Sequence, residues 1–168
     1  MKIVHVITCC MILWITQSHA QTNSVLPSID LKTLKGDAIS TDNIYNDGNP
    51  ILIIVWATWC HHATDGITSI SDDYLQDWED AYKLKVVGIS VDDSRNIPKV
   101  EPMVNGNGWE MEQFIDENAD FKRALGINQP PFLIILNGKR EIVWTLNAFN
   151  AGDEEEIERI LKTLKTEK

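Results

Sequence analysis

The most reactive residue types in the sequence are three neighbours, Cys60, His61 and His62. A cysteine thiolate is a nucleophile, and a histidine can take up or release a proton near neutral pH. Together they make Cys60 a candidate nucleophile with two possible proton carriers beside it. Ala63 stands three residues after Cys60, where a dithiol pair would have its second cysteine. The spacing therefore predicts a single reactive thiol rather than a Cys-X-X-Cys pair.

Two predicted elements place this thiol. The run from Ile51 to Trp56 is continuously apolar and rich in β-branched residues, which predicts a strand buried on both faces of a sheet. After a turn through Ala57 and Thr58, Cys60 reaches the first turn of a helix predicted over residues 61–82. Unpaired backbone N–H groups and the helix dipole at this end favour the thiolate form of a cysteine.

The first twenty residues predict a secretory signal peptide, with cleavage before Gln21 and a domain over residues 21–168. Lys2 gives the segment a positive start, residues 6–15 are apolar, and Ser18 to Ala20 has the small residues that signal peptidase reads. The apolar run is shorter than the roughly 20 residues that span a bilayer. We therefore expect a periplasmic or secreted protein with no stable membrane span after cleavage.

Signal cleavage would also change the cysteine count. The full sequence has 3 cysteines, and Cys9 and Cys10 would leave with the signal peptide. A secreted protein with one cysteine has no internal disulfide, so its thiol is buried and inert, paired with another molecule, or reactive. No second cysteine of the mature chain could assist Cys60.

The charge of the chain argues against two classes of binding partner. The formal net charge is −10, and acidic and basic residues are interspersed apart from the acidic block at residues 153–156. An acidic chain without a basic stripe argues against binding to nucleic acid or to an anionic membrane surface.

The order of predicted elements indicates an α/β fold. It is a three-layer α/β/α sandwich with a central mixed sheet and an N-terminal β-hairpin. The predicted elements are a hairpin around Gly36, a helical turn at 41–43, strands at 51–56, 85–91, 132–136 and 141–146, a short extended segment within 109–115, and helices at 61–82, 95–105, 118–125 and from 153 onward.

The segment Trp56-Ala57-Thr58-Trp59-Cys60 resembles the active-site entry of the thioredoxin-like envelope oxidoreductases, the TlpA-like group. Weaker similarities in the same order cover almost the whole mature chain, at residues 26–31, 86–92, 126–131, 142–144 and 152–154. The resemblance implies a thioredoxin fold, an envelope location and exchange with protein or small-molecule thiols and disulfides. It also implies a substrate groove formed by Trp59, Pro130 and a cis Pro131. Trp56 could shape a binding surface with Trp59, but we expect it in the core.

Two departures from the family pattern concern turnover. The family's second cysteine resolves the mixed disulfide, and Ala63 lies at that position, so the first half of the cycle remains and the second is lost. The residue before the cis-proline pairs its backbone with the substrate in the family, but Pro130 has no N–H to donate. Phe132 also replaces a residue that is usually small or polar.

Three functions remain open, and none of them is a dithiol enzyme. The first is a monothiol protein that uses Cys60, with His61 and His62 either stabilising the thiolate or exposed without a task. The second is a binding module that has lost turnover, and the third is a Cys/His metal-handling protein. Consecutive helical residues diverge by ~100°, which suits chelation poorly, so we expect no metal and no cofactor.

Peroxiredoxin chemistry is a rival by fold. Its nucleophile requires a threonine three residues earlier and a proline further upstream. This sequence has Ala57 and Ile53 at those positions. The residues therefore argue against a peroxidase.

Overall fold

The computed structural model describes residues 24–166, and the predicted signal peptide lies outside them. The seven strands are β1 (Asp30–Thr33), β2 (Ala38–Ser40), β3 (Ile51–Trp56), β4 (Lys85–Ser90), β5 (Glu112–Ile115), β6 (Phe132–Leu136) and β7 (Ile142–Asn147). They form one sheet in the order β2-β1-β5-β4-β3-β6-β7. The helices are α1 (His61–Ser69), α2 (Leu75–Tyr82), α3 (Val100–Asn107), α4 (Asp120–Ala124) and α5 (Asp153–Thr166).

Strand β3 lies at the centre of the sheet, as its apolar run predicts. It pairs in parallel with β4 and antiparallel with β6, so that Ile54 lies between Gly88 and Leu133. All six of its residues are buried. Because β3 has strand neighbours on both edges and helices over both faces, it is a rigid base for the turn that follows it.

The two faces of β3 contribute to two separate clusters of the core. Trp56 and its alternate residues pack with α1, α2, α3 and α5 on one face of the sheet. Val55 and its alternates pack on the other face with α4 and the N-terminal segment. The predicted three-layer α/β/α fold is confirmed, and so is the place of Trp56 in the core, where it is fully buried.

The helix predicted over residues 61–82 is present, but it is interrupted. A π-helical turn at Ile70–Tyr74 separates α1 from α2, and Lys83 ends α2 in a left-handed conformation with φ 53°. π-helical turns occur mostly as single insertions within α-helices. Intrinsic propensity is low in α1, which contains Gly66 and several Thr and Ser residues, so packing must hold it.

Two other helices differ from the predicted bounds. The helix predicted at 95–105 begins as a 3-10 turn, Ile97–Lys99, and continues as α3 to Asn107. Helix α4 is shorter than predicted, because Ala119 has a left-handed φ of 56° just before it. No helix within residues 24–166 is both long and apolar enough to cross a bilayer.

Candidate functional site

Cys60 lies at the end of the turn between β3 and α1. Its backbone is extended, with φ −102° and ψ 94°, and its N–H donates to the Ala57 carbonyl at 3.0 Å. Its own carbonyl accepts from the N–H groups of Ala63 and Thr64 at 3.0 and 3.1 Å. Cys60 is thus the N-cap residue of α1. Its half-buried sulfur makes no capping hydrogen bond.

Facing the thiol is the loop before β6. The Pro130–Pro131 peptide bond is cis, as predicted. The Cys60 sulfur donates a weak hydrogen bond to the Pro130 carbonyl oxygen at 3.4 Å, so the structure brings these two predicted site residues together. The Pro131 carbonyl accepts from the Ala148 N–H at 3.0 Å. The group that the loop directs at the thiol is therefore a hydrogen-bond acceptor.

The remaining predicted residues lie around the thiol in different environments. Trp59 is 53% exposed, whereas Ala63 is 1% exposed and belongs to the core. His61 and His62 are exposed on the first turn of α1. Neither imidazole forms a hydrogen bond or an ion pair with another residue of 24–166, so their action on the thiolate stays a prediction. Within the same range, no group of three or more Cys, His, Asp or Glu residues is placed to hold a metal ion.

A cleft of about 290 Å³ lies beside the site, between α1 and the start of α5. His62, Asp65 and Gly66 line one side of it, and Phe149 and Glu154 line the other. Gly66 is required by this packing, since a Cβ there would lie 2.6 Å from Phe149 Cδ1. The sequence did not indicate the cleft, because its two sides are more than 80 residues apart in the chain.

The surroundings of this cleft are acidic. The charge on Glu154 raises the pKa of Tyr74 above its usual value, and burial and the charges on Asp73 and Glu155 act in the same direction. No Lys or Arg occurs anywhere in residues 61–82 to offset these carboxylates. The surroundings of Tyr74, beside the cleft, are therefore acidic.

Two buried polar residues near the site were not predicted to act there. Gln113 on β5 accepts a hydrogen bond from Trp56 Nε1 at 3.0 Å, and its amide lies against Gly88, where a Cβ would collide with it. Asp92 is fully buried behind the turn before Cys60 and contacts Thr58. A sequence signal for both exists only as a polar residue within or directly after an apolar strand.

Comparison with known proteins agrees with this geometry. The model of the AhpC/TSA family matches residues 22–147. A thioredoxin-like protein of uncharacterised function from Porphyromonas gingivalis is 33% identical, with a TM-score of 0.75, over 86% of this chain and 95% of that one. A search of curated protein sequences finds no significant match.

Two more distant structures share the fold. A candidate thiol:disulfide interchange protein DsbE from Chlorobium tepidum is 17% identical over 84% of this chain and 96% of that one, with a TM-score of 0.71. A secreted disulfide oxidoreductase of Mycobacterium tuberculosis, homologous to E. coli DsbE, is 15% identical over 80% and 95%, with a TM-score of 0.63.

The family match spans well over half of the chain and includes β3, the turn, α1 and the cis-proline loop. The resemblance that Trp56–Cys60 predicted is thereby confirmed. The chain belongs to the AhpC/TSA family and has a thioredoxin-like fold.

Proposed function

We propose that this protein exchanges thiols and disulfides through Cys60 alone, as a monothiol protein of the periplasm or the extracellular space. One observation carries the proposal. The Cys60 sulfur lies at the N-terminus of α1 and faces the Pro130 carbonyl at 3.4 Å, while Ala63 occupies the position of a resolving cysteine. Within residues 24–166, the site therefore offers one thiol and a facing loop that would receive the substrate.

The reaction changes neither the number of electrons nor the number of disulfide bonds. The Cys60 thiolate attacks one sulfur of a disulfide R–S–S–R′, forms Cys60–S–S–R, and releases R′–S⁻, which takes up a proton from water. A thiolate from a second molecule, R″–S⁻, then attacks the R sulfur of the adduct. This step forms R–S–S–R″ and returns Cys60 as a thiolate. The partner is a protein or a small molecule that carries a thiol or a disulfide.

The groove would hold such a partner with fewer backbone contacts than a dithiol relative uses. The Pro130 carbonyl can accept an N–H from an extended substrate segment, but Pro130 has no N–H to return. The exposed ring of Trp59 offers apolar contact area beside the sulfur. His61 and His62 would stabilise the thiolate or transfer its proton.

The alternative is a binding module that holds a partner in the same groove without any covalent step. The absence of an N–H at Pro130 and of a thiol at Ala63 favours it. Both changes weaken turnover and leave the fold unchanged. The two functions differ in whether Cys60 reacts with a disulfide in the folded protein.

The test is formation of a mixed disulfide. The mature protein is incubated with hydroxyethyl disulfide, and the intact mass is followed over time. We expect one adduct per chain, and none in the Cys60→Ser variant, which differs by a single atom. If the folded protein forms no adduct while the denatured protein does, the monothiol function is wrong and the binding module is supported. Adducts trapped in the intact organism would then identify the partner.

A further inference from the structure

The inference concerns Asp92, which immediately follows Val91 at the carboxyl end of β4. Asp92 is 0% exposed. Within residues 24–166 it forms no ion pair with Lys or Arg. Burying a carboxylate without a cation is costly unless hydrogen bonds satisfy it, so the partners of Asp92 show what its burial supports.

Both carboxylate oxygens of Asp92 are occupied. Oδ2 accepts from the backbone N–H of Thr58 and from the Ser90 hydroxyl, each at 2.8 Å. Oδ1 accepts from the Thr58 hydroxyl at 2.7 Å. These three hydrogen bonds satisfy both oxygens of the buried side chain. Two of the three hold Thr58, so the carboxylate is committed mainly to the turn that precedes Cys60.

The strand pairing brings Asp92 to this turn. Strands β3 and β4 run in parallel with Trp56 opposite Ser90, and the Val91 N–H donates to the Trp56 carbonyl at 2.9 Å. The carboxyl ends of both strands therefore meet at one edge of the sheet. Asp92 reaches across that edge from β4 to the residues that follow β3.

The hydrogen bond from the Thr58 N–H to the Asp92 carboxylate acts on one peptide plane. The N–H that Asp92 binds and the Ala57 carbonyl belong to the same planar peptide unit. That carbonyl accepts the N–H of Cys60 at 3.0 Å. Asp92 therefore fixes the N–H side of a plane whose C=O side holds the backbone of Cys60.

We propose that Asp92 is a positioning residue for Cys60. It orients the Ala57–Thr58 peptide plane and so keeps Cys60 at the N-terminus of α1, with its sulfur against the Pro130 carbonyl. It touches neither the thiol nor a substrate. This role rests on the proposed function in that the reaction to be positioned is the attack of Cys60 on a disulfide.

The chain contains a matched control. Asp116 follows β5, the next strand of the sheet, and is 2% exposed. Its carboxylate accepts the backbone N–H groups of Phe121 and Lys122 at 3.1 and 2.9 Å, at the start of α4. Asp116 is thus a buried carboxylate of the same kind that supports a different element and does not contact the turn.

The experiment compares Asp92→Ala, Thr58→Val, Thr58→Ser and Asp116→Asn in the mature protein. The rate constant for the reaction with hydroxyethyl disulfide is measured well below each melting temperature. A reacting group misplaced by about 1 Å can lose about 100-fold in rate, so we expect Asp92→Ala to react at least ~10-fold more slowly. Thr58→Ser keeps both donors and should react like the wild type. Asp116→Asn should melt earlier and react at the wild-type rate.

Thr58→Val supplies a second test that changes no charge and does not depend on Asp92→Ala folding. It removes only the hydroxyl donor, and we expect the rate to fall about two- to tenfold. The rate constant is measured well below the melting temperature, where the variant is folded. A purely structural role would lower the melting temperature and leave the rate constant of the folded protein unchanged.

The proposal is overturned if folded Asp92→Ala and Thr58→Val both react within twofold of the wild type. It is also overturned if Asp116→Asn slows the reaction as much as they do. A wild-type protein that forms no adduct would instead refute the proposed function. The same variants are then compared by their rates of alkylation with iodoacetamide. These rates report only on the position of the sulfur and not on disulfide exchange.

Discussion

The two sides of the thiol site are held in place by different means. The turn side, residues 57–63, is fixed by several polar contacts: the Asp92 carboxylate holds Thr58, and the Ala57 carbonyl holds the N–H of Cys60. The proline side, residues 130–132, is shaped by two consecutive proline rings and offers the sulfur a single acceptor at 3.4 Å. Hydrogen bonds thus position the nucleophile, whereas ring geometry shapes the surface that would receive a substrate.

This difference separates two tasks that one site must perform. In the proposed function, attack on a disulfide would depend on the turn side, where the Ala57 carbonyl binds the N–H of Cys60. Alignment and release of a substrate would depend on the proline side, where Pro130 lacks an N–H, and on position 63, where Ala63 lacks a thiol. Attack and release should therefore respond to different substitutions, and this expectation can be tested on each side.

The largest effect is expected from Ala63→Cys. A second thiol on the first turn of α1 would attack the mixed disulfide within the molecule, at a high effective concentration. Release should be at least ~100-fold faster than with millimolar external thiol. The measurement is reduction of insulin disulfides in the presence of dithiothreitol, with Ala63→Ser as the isosteric control. If Ala63→Cys folds and stays inert, the proline side limits turnover.

A smaller effect is expected from Pro130→Thr, which restores a backbone N–H beside the cis-proline. One additional hydrogen bond contributes about 0.5–1.5 kcal/mol, or about two- to tenfold in rate. The gain should appear with a disulfide-bonded peptide and not with hydroxyethyl disulfide, which has no backbone. An equal gain with both reagents would mean that the substitution acts on the sulfur and not on docking.

The smallest effect on the site is expected from Gly66→Ala, which concerns the support of α1. Its Cβ would lie 2.6 Å from Phe149 Cδ1, and overpacking of this kind costs about 1–3 kcal/mol of folding free energy. Gly106→Ala in α3 meets no atom within 4 Å and should stabilise the protein by about 0.5–1 kcal/mol. Chemical denaturation measures both. A Gly66→Ala variant as stable as Gly106→Ala would show that Phe149 does not support α1.

Much of the fold is encoded in local pattern. The apolar run of β3 and the apolar periodicity of the helix over residues 61–82 predict their elements, because burial dictates both. The start of α4 could not be read in this way. It depends on the left-handed backbone of Ala119 and on the Asp116 carboxylate, which binds N–H groups five and six residues later.

The candidate site also has a part that local sequence predicts and a part that it does not. Cys60 and Pro131 were found because each lies in a short motif of recognisable chemistry. The supports of the site were missed, because each joins residues far apart in the chain. Asp92 and Thr58 are 34 positions apart, and Trp56 and Gln113 are 57 apart. Only the register of β3, β4 and β5 brings these pairs together.

The π-helical turn at Ile70–Tyr74 determines how many residues the segment from Ile70 to Tyr82 can contain. Ile70, Tyr74, Trp78 and Tyr82 follow one another at intervals of four. In a regular α-helix, three such intervals would turn the chain about 120° beyond three full turns. The wider turn absorbs much of this excess, so that Trp78 stays in the core and the Tyr82 hydroxyl reaches Glu158 at 2.9 Å. Deleting a single residue there would leave a regular α-helix that turns only about 20° beyond three full turns, so α2 would keep its face against the sheet, whereas inserting a residue would rotate α2 by ~100°.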